Sequence, residues 1–442
     1  MSRLIALLAA AALPAAGIGS AAACDVSSLA GRLDCRPAGT IRVATYNASL
    51  NRATSGQLRR DLSSSNDPQA RTIAAVIRRV RPDVLLINEF DFDPEGASAR
   101  LFARHYLESG DARGVAPLRF AHRFTAPVNT GLPSGFDLDH DGRIGGGGDA
   151  LGFGAFPGQY GMVVYSRFPI DVGRARTFQQ LRWASLPDAA WPPGWYPPVV
   201  QAGLPLSSKS HWDLSLTLPG GRRLHLLTSH PTPPVFDGPE DRNGRRNHDE
   251  IRLWAEYLAP AGAAWIHDDQ GRRGGLEPGA AFVILGDLNA DPVDGGSYEG
   301  AIRQLLEHPR IDASNPPQSA GAVSASRRQR GANDAQRGDP RDDTADFGDV
   351  GGAGGNLRAD YVLPSLGIAT CNAGVFWPTP EEPDYALVND DTAASSDHRL
   401  VWLDLAIEGR CPADSTGSTD STDTPTRRVQ AQRSESSTPA GQ

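Results

Sequence analysis

The chain has 442 residues, a formal net charge of −9 and 39% hydrophobic residues, enough apolar content for one large domain or, on length alone, two. Its 48 glycines and 35 prolines call for many loops. The acidic balance excludes a protein that grips nucleic acid tightly by neutralising its backbone, though not turnover at a local basic site. Nearly all the positive charge is arginine, and Lys209 is a rare exception.

The N-terminus opens with Arg3, an apolar run from Leu4 to Leu13, and small residues ending in Ala21-Ala22-Ala23. That pattern predicts a secretory signal peptide over residues 1–23, cleaved after Ala23, and places the mature chain in the periplasm or outside the cell. A lipoprotein signal is the alternative, because Cys24 follows directly, but Ala21 stands where a larger aliphatic residue is usual. No later segment is long enough to span a bilayer. Export favours disulfides among the four cysteines. Cys24 with Cys35 would staple an N-terminal arm over residues 24–40, and Cys371 with Cys411 would tie the last strands. Buried free thiols are the alternative, and cysteines so far apart do not match a zinc site.

In chain order, Ile41–Tyr46 reads as a strand, Pro68–Arg79 as a helix, Val84–Ile87 as a fully apolar strand and Ala97–Leu107 as a helix. Gly161–Ser166, Trp212–Leu218 and Arg223–Ser229 read as strands, and Arg242–Leu258 as a helix with Ile251, Trp254, Ala255 and Leu258 on one face. Phe282–Leu285 is a buried strand, Tyr298–Leu306 a helix, and Asp360–Leu363 and Leu400–Leu405 are strands. Helices alternate with strands, several of which pair as hairpins. This predicts an α/β (α+β) sandwich of two mixed sheets with outer helices, a single domain over residues 41–411. Residues 129–157 and 320–356 read as loop insertions without periodicity. The Ser/Thr-rich tail, residues 412–442, is expected to be disordered.

Two strand ends carry chemistry. Gly286-Asp287-Leu288-Asn289 follows the apolar run Phe282–Leu285, and Ser396-Asp397-His398 precedes the last strand. A carboxylate at the end of a buried strand is costly without a metal or a hydrogen-bond partner. These acid, amide and imidazole groups are those of metal-assisted phosphoester hydrolysis. The plain alternative for Asp287 and Asn289 is a turn before Ala290-Asp291-Pro292.

An ordered series of motifs extends this signal: Arg42-Val43-Ala44-Thr45-Tyr46-Asn47, Ile87-Asn88-Glu89-Phe90, Thr228-Ser229-His230, Gly286-Asp287-Leu288-Asn289, Arg358-Ala359-Asp360-Tyr361 and Ser396-Asp397-His398. In this series the chain resembles the endonuclease/exonuclease/phosphatase superfamily over roughly Ile41 to Ile407. The resemblance implies a four-layer αββα sandwich and a metal-dependent phosphoesterase. It implies a divalent-metal shell of Glu89, Asn47 and Asp397, with Mg²⁺ or Mn²⁺ favoured by hard oxygen ligands. Asp287 and Asn289 would align the attacking water, His398 would act with Asp360 orienting it, and His230 would contact the phosphate. Which of Asp287, His230 and His398 serves as acid or base stays open.

Lys209, just before a strand, reads either as a phosphate contact or as a solvated loop lysine. Arg242, Arg245, Arg246 and His248 read as a cationic rim or a solvated helix face. Asp137-Leu138-Asp139-His140-Asp141-Gly142 resembles the first half of a calcium loop, with Asp137, Asp139 and Asp141 as candidate ligands. Its closing Glu is missing: Gly148 stands there and Asp149 follows. Trp191, Trp195 and Tyr196 among prolines read as loop packing or as a substrate platform. The expected partner is a phosphoester substrate, nucleic acid or small organic phosphate. The chain is expected to be a monomer with no stable protein partner. Two rivals are weighed. A calcineurin-like phosphatase would need D-x-H and G-N-H segments, which are missing from this sequence, and a non-catalytic binding module on the same fold would not need the full residue set.

Overall fold

The computed structural model describes residues 28–110, 115–259, 262–348, 354–388, 395–406 and 409–411. These fall in one compact unit bounded by Cys24 and Pro412. The expected signal peptide, Cys24 and the Ser/Thr tail lie outside the described residues.

The elements run α1 (Leu29–Asp34), β1 (Thr40–Leu50), α2 (Gln57–Asp61), α3 (Pro68–Val80), β2 (Val84–Phe90), α4 (Ala97–Phe102), β3 (His122–Phe124), β4 (Met162–Ser166) and β5 (Arg176–Thr177). There follow α5 (Pro198–Gly203), β6 (His211–Thr217), β7 (Arg223–Ser229), α6 (Arg242–Leu258), β8 (Phe282–Asp287), α7 (Arg303–Leu306) and α8 (Ala320–Gln329). The chain closes with β9 (Ala345–Asp346), β10 (Asn356–Leu357), β11 (Asp360–Pro364), β12 (Thr370–Val375) and β13 (Val401–Ala406).

One large sheet has the order β12-β13-β1-β2-β4-β3 and the other β11-β8-β7-β6-β5, while β9 and β10 form a separate two-stranded pair. Both are mixed: β1 with β2 and β7 with β8 are the parallel pairs, and the remaining neighbours in these sheets are antiparallel. Alternation along the strands sorts their side chains between two cores. Leu226, Val283 and Leu285 of the second sheet join Val43, Leu85, Ile87 and Val163 of the first in the core that also takes Ile73 and Ile77 of α3. The opposite face of the second sheet gives Leu227, Ile284 and Tyr361 to a separate core against Ile251, Trp254 and Leu258 of α6. This is the helix–sheet–sheet–helix layering the sequence predicts.

The helix α3 shows why these segments form where they do. Pro68 occupies its first turn, Asp67 Oδ1 caps the Ala70 amide at 2.7 Å, and Ile73, Ala74, Ile77 and Val80 are buried. Three differences from the sequence reading have local causes. Residues Tyr298–Leu306 form a 3₁₀ turn and the short α7 rather than one helix, because Glu299 and Gly300 take positive φ of 48° and 64°. The supposed loop from 320 begins with the ten-residue α8, capped by Ser319 Oγ on the Ala322 amide. Its buried residues are Gly321, Ala322 and Ala325, too small to show as periodicity. Edge strand β12 also escaped notice, since Thr370 to Ala373 are only half-buried.

A buried ion pair fastens the first sheet. Arg42 on β1 faces Asp404 on β13, donating Nε to Oδ1 and Nη2 to Oδ2 at 2.7 Å each. Its Nη1 also donates to the carbonyls of Val80 (2.7 Å) and Leu33 (3.2 Å), so one guanidinium joins β13, the end of α3 and α1. Cys371 and Cys411 form the expected disulfide, with Cα atoms 5.3 Å apart. Cys35 is also disulfide-bonded. Among the described residues no helix is long and apolar enough to cross a membrane.

Removing one partner of a buried, bidentate pair strands the other charge. Asp404→Ala should therefore cost about 3–5 kcal/mol in urea unfolding. A loss below about 1 kcal/mol, the range of exposed pairs, would show that Arg42 reaches water or another acceptor.

Candidate active site

The site forms where the C-terminal ends of β1 and β2 meet those of β7 and β8. The parallel register sets Asn47 beside Asn88 and so brings Asn47 next to Glu89. In the other sheet Asp360 lies directly opposite Asp287, and His230 follows the last residue of β7. Asn88 stitches the sheets together: its Nδ2 donates to Ser229 O at 3.4 Å and its Oδ1 accepts from the Asp287 amide at 3.3 Å. Within the second sheet, Gly286 lets the ends of β7 and β8 close on each other. It holds φ at +155°, and a Cβ there would collide with Ser229 O.

The Asp287 carboxylate is the hub. It is 1% exposed, and its Oδ2 accepts from Asn47 Nδ2 at 2.9 Å. His230 Nε2 lies 3.3 Å from the same oxygen and His398 Nε2 3.6 Å from it. Its Oδ1 accepts from the Asn289 amide at 3.0 Å. Burial alone would push this acid up, but the charges of His398 and His230 and the hydrogen bonds hold it below the usual carboxylate range. Behind His398, Nδ1 donates to Asp360 Oδ2 at 2.8 Å. Burial would push the imidazole down, yet Asp360 and Asp287 on either side raise it well above the ordinary value. His230 goes the other way: burial and the neighbouring Lys209 push it down, against the pull of Asp287. Two histidines on one carboxylate are thus driven apart, His398 upward and His230 downward, the usual sign of separate proton roles.

The acidic flank is built around Glu89. Strand β2 runs through it to Phe90 rather than ending before it, and Glu89 takes φ of +58° inside the strand. Ser49 and Asn289 also hold positive φ, at 47° and 52°. Such backbone is strained for residues with side chains and gathers at functional sites. Asn47 Nδ2 (3.1 Å) and Asn51 Nδ2 (2.8 Å) donate to the Glu89 carboxylate. Asp397 is exposed and accepts from Ser49 Oγ at 3.1 Å. Lys209 is 6% exposed. Burial pushes its ammonium down, while Glu250, Glu89 and Asp287 pull it up. Its Nζ is 3.5 Å from Pro231 O, a carbonyl that also accepts from Asn289 Nδ2 at 3.2 Å. Lys209 is thus a buried group facing the acidic site.

The structure therefore brings Asn47, Glu89, His230, Asp287, Asn289, Asp360 and His398 together, with Lys209 behind them. The arginines of α6 form no rim. Arg246 donates to the carbonyls of Leu206, Pro205 and Leu151, Arg245 stacks on Tyr298, and Arg242 pairs with Glu240. Trp191 packs on Trp183 with centroids 4.1 Å apart, which is loop packing.

A model of the endonuclease/exonuclease/phosphatase family matches residues 44–398, most of the chain. The chain belongs to the endonuclease/exonuclease/phosphatase family. Members of this family are hydrolases of phosphoester bonds. Among solved structures, a family protein from Beutenbergia cavernae is 19% identical, covering 83% of this chain and 71% of its own, with a TM-score of 0.44. One from Leptotrichia buccalis is 13% identical over 83% of this chain and 99% of its own, with a TM-score of 0.42. Sphingomyelinase C from Streptomyces griseocarneus is 14% identical over the same shares, with a TM-score of 0.41. No curated protein matches the chain.

Three further residues at this candidate site carry no signal in the sequence. Thr344 Oγ1 donates to Asp360 Oδ2 at 2.8 Å and accepts from the amides of Ala359 and Asp360. Phe347 sets its ring edge-on to His398, 5.2 Å between centroids. Asn51 holds Glu89 as described. Thr344 and Phe347 sit in the stretch read as featureless insertion, which pairs back through an Ala345–His398 bridge. Nothing in their local pattern marks that pairing.

His211, two residues after Lys209, offers a clean pH test. Its Nε2 donates to Glu250 O at 2.9 Å, and its Nδ1 lies 2.6 Å from Ser207 Oγ. Burial lowers it from 6.5 to about 4. Below pH 6.5 the unfolded chain takes up a proton that the folded one refuses until about pH 4. Stability from this group is therefore present above that window and lost as pH falls through it. Thermal melts of the protein and of His211→Gln should converge as pH drops from 6.5 to 4. Parallel curves would mean that His211 does not titrate differently in the two states.

Proposed function

We propose that the protein is a secreted, divalent-metal-dependent phosphoesterase. The observation that carries this is a single buried carboxylate, Asp287, contacted at once by Asn47, His230 and His398, with Asp360 behind His398. Export rests on the N-terminal signal pattern and agrees with the Cys371–Cys411 disulfide.

The residues fit a hard divalent ion. Glu89 takes hydrogen bonds from two asparagine amides, and oxygen donors of this kind suit Mg²⁺ or Mn²⁺. Glu89, Asn47 and Asp397 would hold it, and when bound it supplies polarisation of the phosphoryl oxygens. Asp287 and Asn289 orient the attacking water. The His398 imidazolium, fixed by Asp360, stabilises charge that develops on the phosphoryl group, and His230, neutral, is free to move a proton. Lys209 adds a cation close behind, which suits it to a phosphate oxygen. Two buried atoms without hydrogen-bond partners, His230 Nδ1 and Asp360 Oδ1, mark the site as ready for further ligands.

The test uses plasmid DNA, bis-p-nitrophenyl phosphate and p-nitrophenyl phosphate with Mg²⁺ or Mn²⁺. His398→Ala and Asp287→Asn should each lower turnover by about 10²–10⁴-fold, the usual contribution of general acid–base groups. Turnover that survives both changes would sink this site, and no turnover of any ester would favour a binding module. Plasmid nicking lost in the variants makes the protein an extracellular nuclease. Cleavage of the small esters alone moves the substrate to small organic phosphates or lipids.

A further inference from the structure

His211 and Ser229 are the last paired residues at one end of the β6–β7 hairpin. Beyond them the two chains part, and Lys209 lies on one branch and His230 on the other. One side chain bridges the branches. Glu250 of α6 is wholly buried, and both of its carboxylate oxygens are taken. Oε1 accepts from the Ser208 amide at 2.6 Å and from Ser208 Oγ at 2.9 Å. Oε2 accepts from the Thr232 amide at 2.7 Å. Its main-chain carbonyl accepts from His211 Nε2 at 2.9 Å.

An acid in this place is not needed for packing. Helix α6 is already seated on the second sheet by Ile251, Trp254 and Leu258. A buried carboxylate is costly, and it persists where charge-assisted hydrogen bonds answer it. Here the answering donors belong to two separate loops. The same face of α6 grips the site's frame at two more points. Asn247, three residues before Glu250, is also wholly buried and donates Nδ2 to Thr232 O at 2.8 Å and to Leu288 O at 3.0 Å. Trp254, four residues after Glu250, donates Nε1 to Ser229 Oγ at 3.0 Å. Residues at this spacing share one side of a helix.

What the two branches carry gives the bridge its meaning. Lys209 follows Ser208 directly, and its Nζ reaches across to Pro231 O at 3.5 Å. His230 stands two residues before Thr232, with Nε2 3.3 Å from Asp287 Oδ2. Glu250 is also first among the charges that pull the Lys209 ammonium up against burial, ahead of Glu89 and Asp287, while Arg246 pushes it down. Lys209 in turn pushes His230 down.

We infer that Glu250 is a positioning residue, a clamp behind the site that holds the Ser208 and Thr232 branches so that Lys209 and His230 enter it together. What those two groups then do rests on the phosphoesterase reading; how they are held does not. Small displacements of groups that meet a reacting phosphoryl centre are expensive in rate, so a clamp at this depth acts on turnover more than on substrate capture. A brace that served the fold alone would change the melting temperature and leave the charge state of Lys209 as it was.

The test uses the fact that the chain has no other lysine. Protein carrying ¹³Cε-labelled lysine gives one lysine signal, which is followed by NMR as pH rises. In Glu250→Gln, which keeps the side-chain size, Lys209 should lose its proton at lower pH than in the unaltered protein, because the largest charge favouring the ammonium is gone. In the same variant kcat for bis-p-nitrophenyl phosphate with Mg²⁺ should fall by about 10–10²-fold, with a smaller change in KM. Ser208→Ala removes the hydroxyl contact and leaves the amide; it should displace the lysine signal and lower kcat by less. A folded Glu250→Gln in which Lys209 titrates as before, or in which kcat is unchanged, would overturn the inference. Should Glu250→Gln fail to fold, Ser208→Ala decides, and an unmoved lysine signal with unchanged kcat overturns it. Absence of turnover in the unaltered protein would sink the phosphoesterase reading instead, and the lysine titration would still decide the clamp.

Discussion

A carboxylate cannot be taken out of water cheaply unless its charge is answered on the spot. Asp287 is such a carboxylate, and the rest of the architecture reads as the answer. One sheet supplies an amide, from Asn47 at the end of β1. The other supplies His230 after β7, and the last strand's approach supplies His398 with its own acid, Asp360. A slip of one residue in β1, β8 or β11 would turn Asn47, Asp287 or Asp360 to the opposite face and break these contacts. The register of these strands is therefore tied to the same few atoms that carry the proposed chemistry.

The fold was legible because its central strands are continuous apolar runs. Val84–Ile87 and Phe282–Leu285 announce themselves by composition, and the helix Arg242–Leu258 by its apolar stripe; its bounds hold to the residue, while Ala255 is only half-buried and Leu253 and Tyr257 are buried as well. The site was legible in the same places, since acids and amides directly after apolar runs have few structural reasons to be there. Legibility fails where contacts are made between distant segments. Thr344 orients Asp360 from sixteen positions away, through one hydroxyl, and a threonine in a Gly- and Asp-rich stretch gives no sign of it. Helix α8 was hidden because alanine at the buried positions carries almost no hydrophobic signal.

The two insertions differ in what they do to the site. The one at 320–356 enters it through Thr344 and Phe347, pairing with the His398 segment and setting an aromatic ring against the imidazole. The one at 129–157 stays outside and acts on backbone, gripping Ser207 and Lys209 by their carbonyls. Variation in the first alters what meets the reacting groups, while variation in the second alters how firmly their support is held. Substrate choice within a shared fold is commonly made in such loops.

Lys209 is the chain's single lysine, and it is buried. The surface therefore draws its positive charge from arginine and, at lower pH, histidine. A guanidinium does not lose its proton in any ordinary medium, whereas lysine ammonium groups fade in strong alkali. Between neutrality and the alkaline range the pattern of surface cations consequently stays constant, and what alkali can discharge is an ammonium turned inward, toward the chemistry.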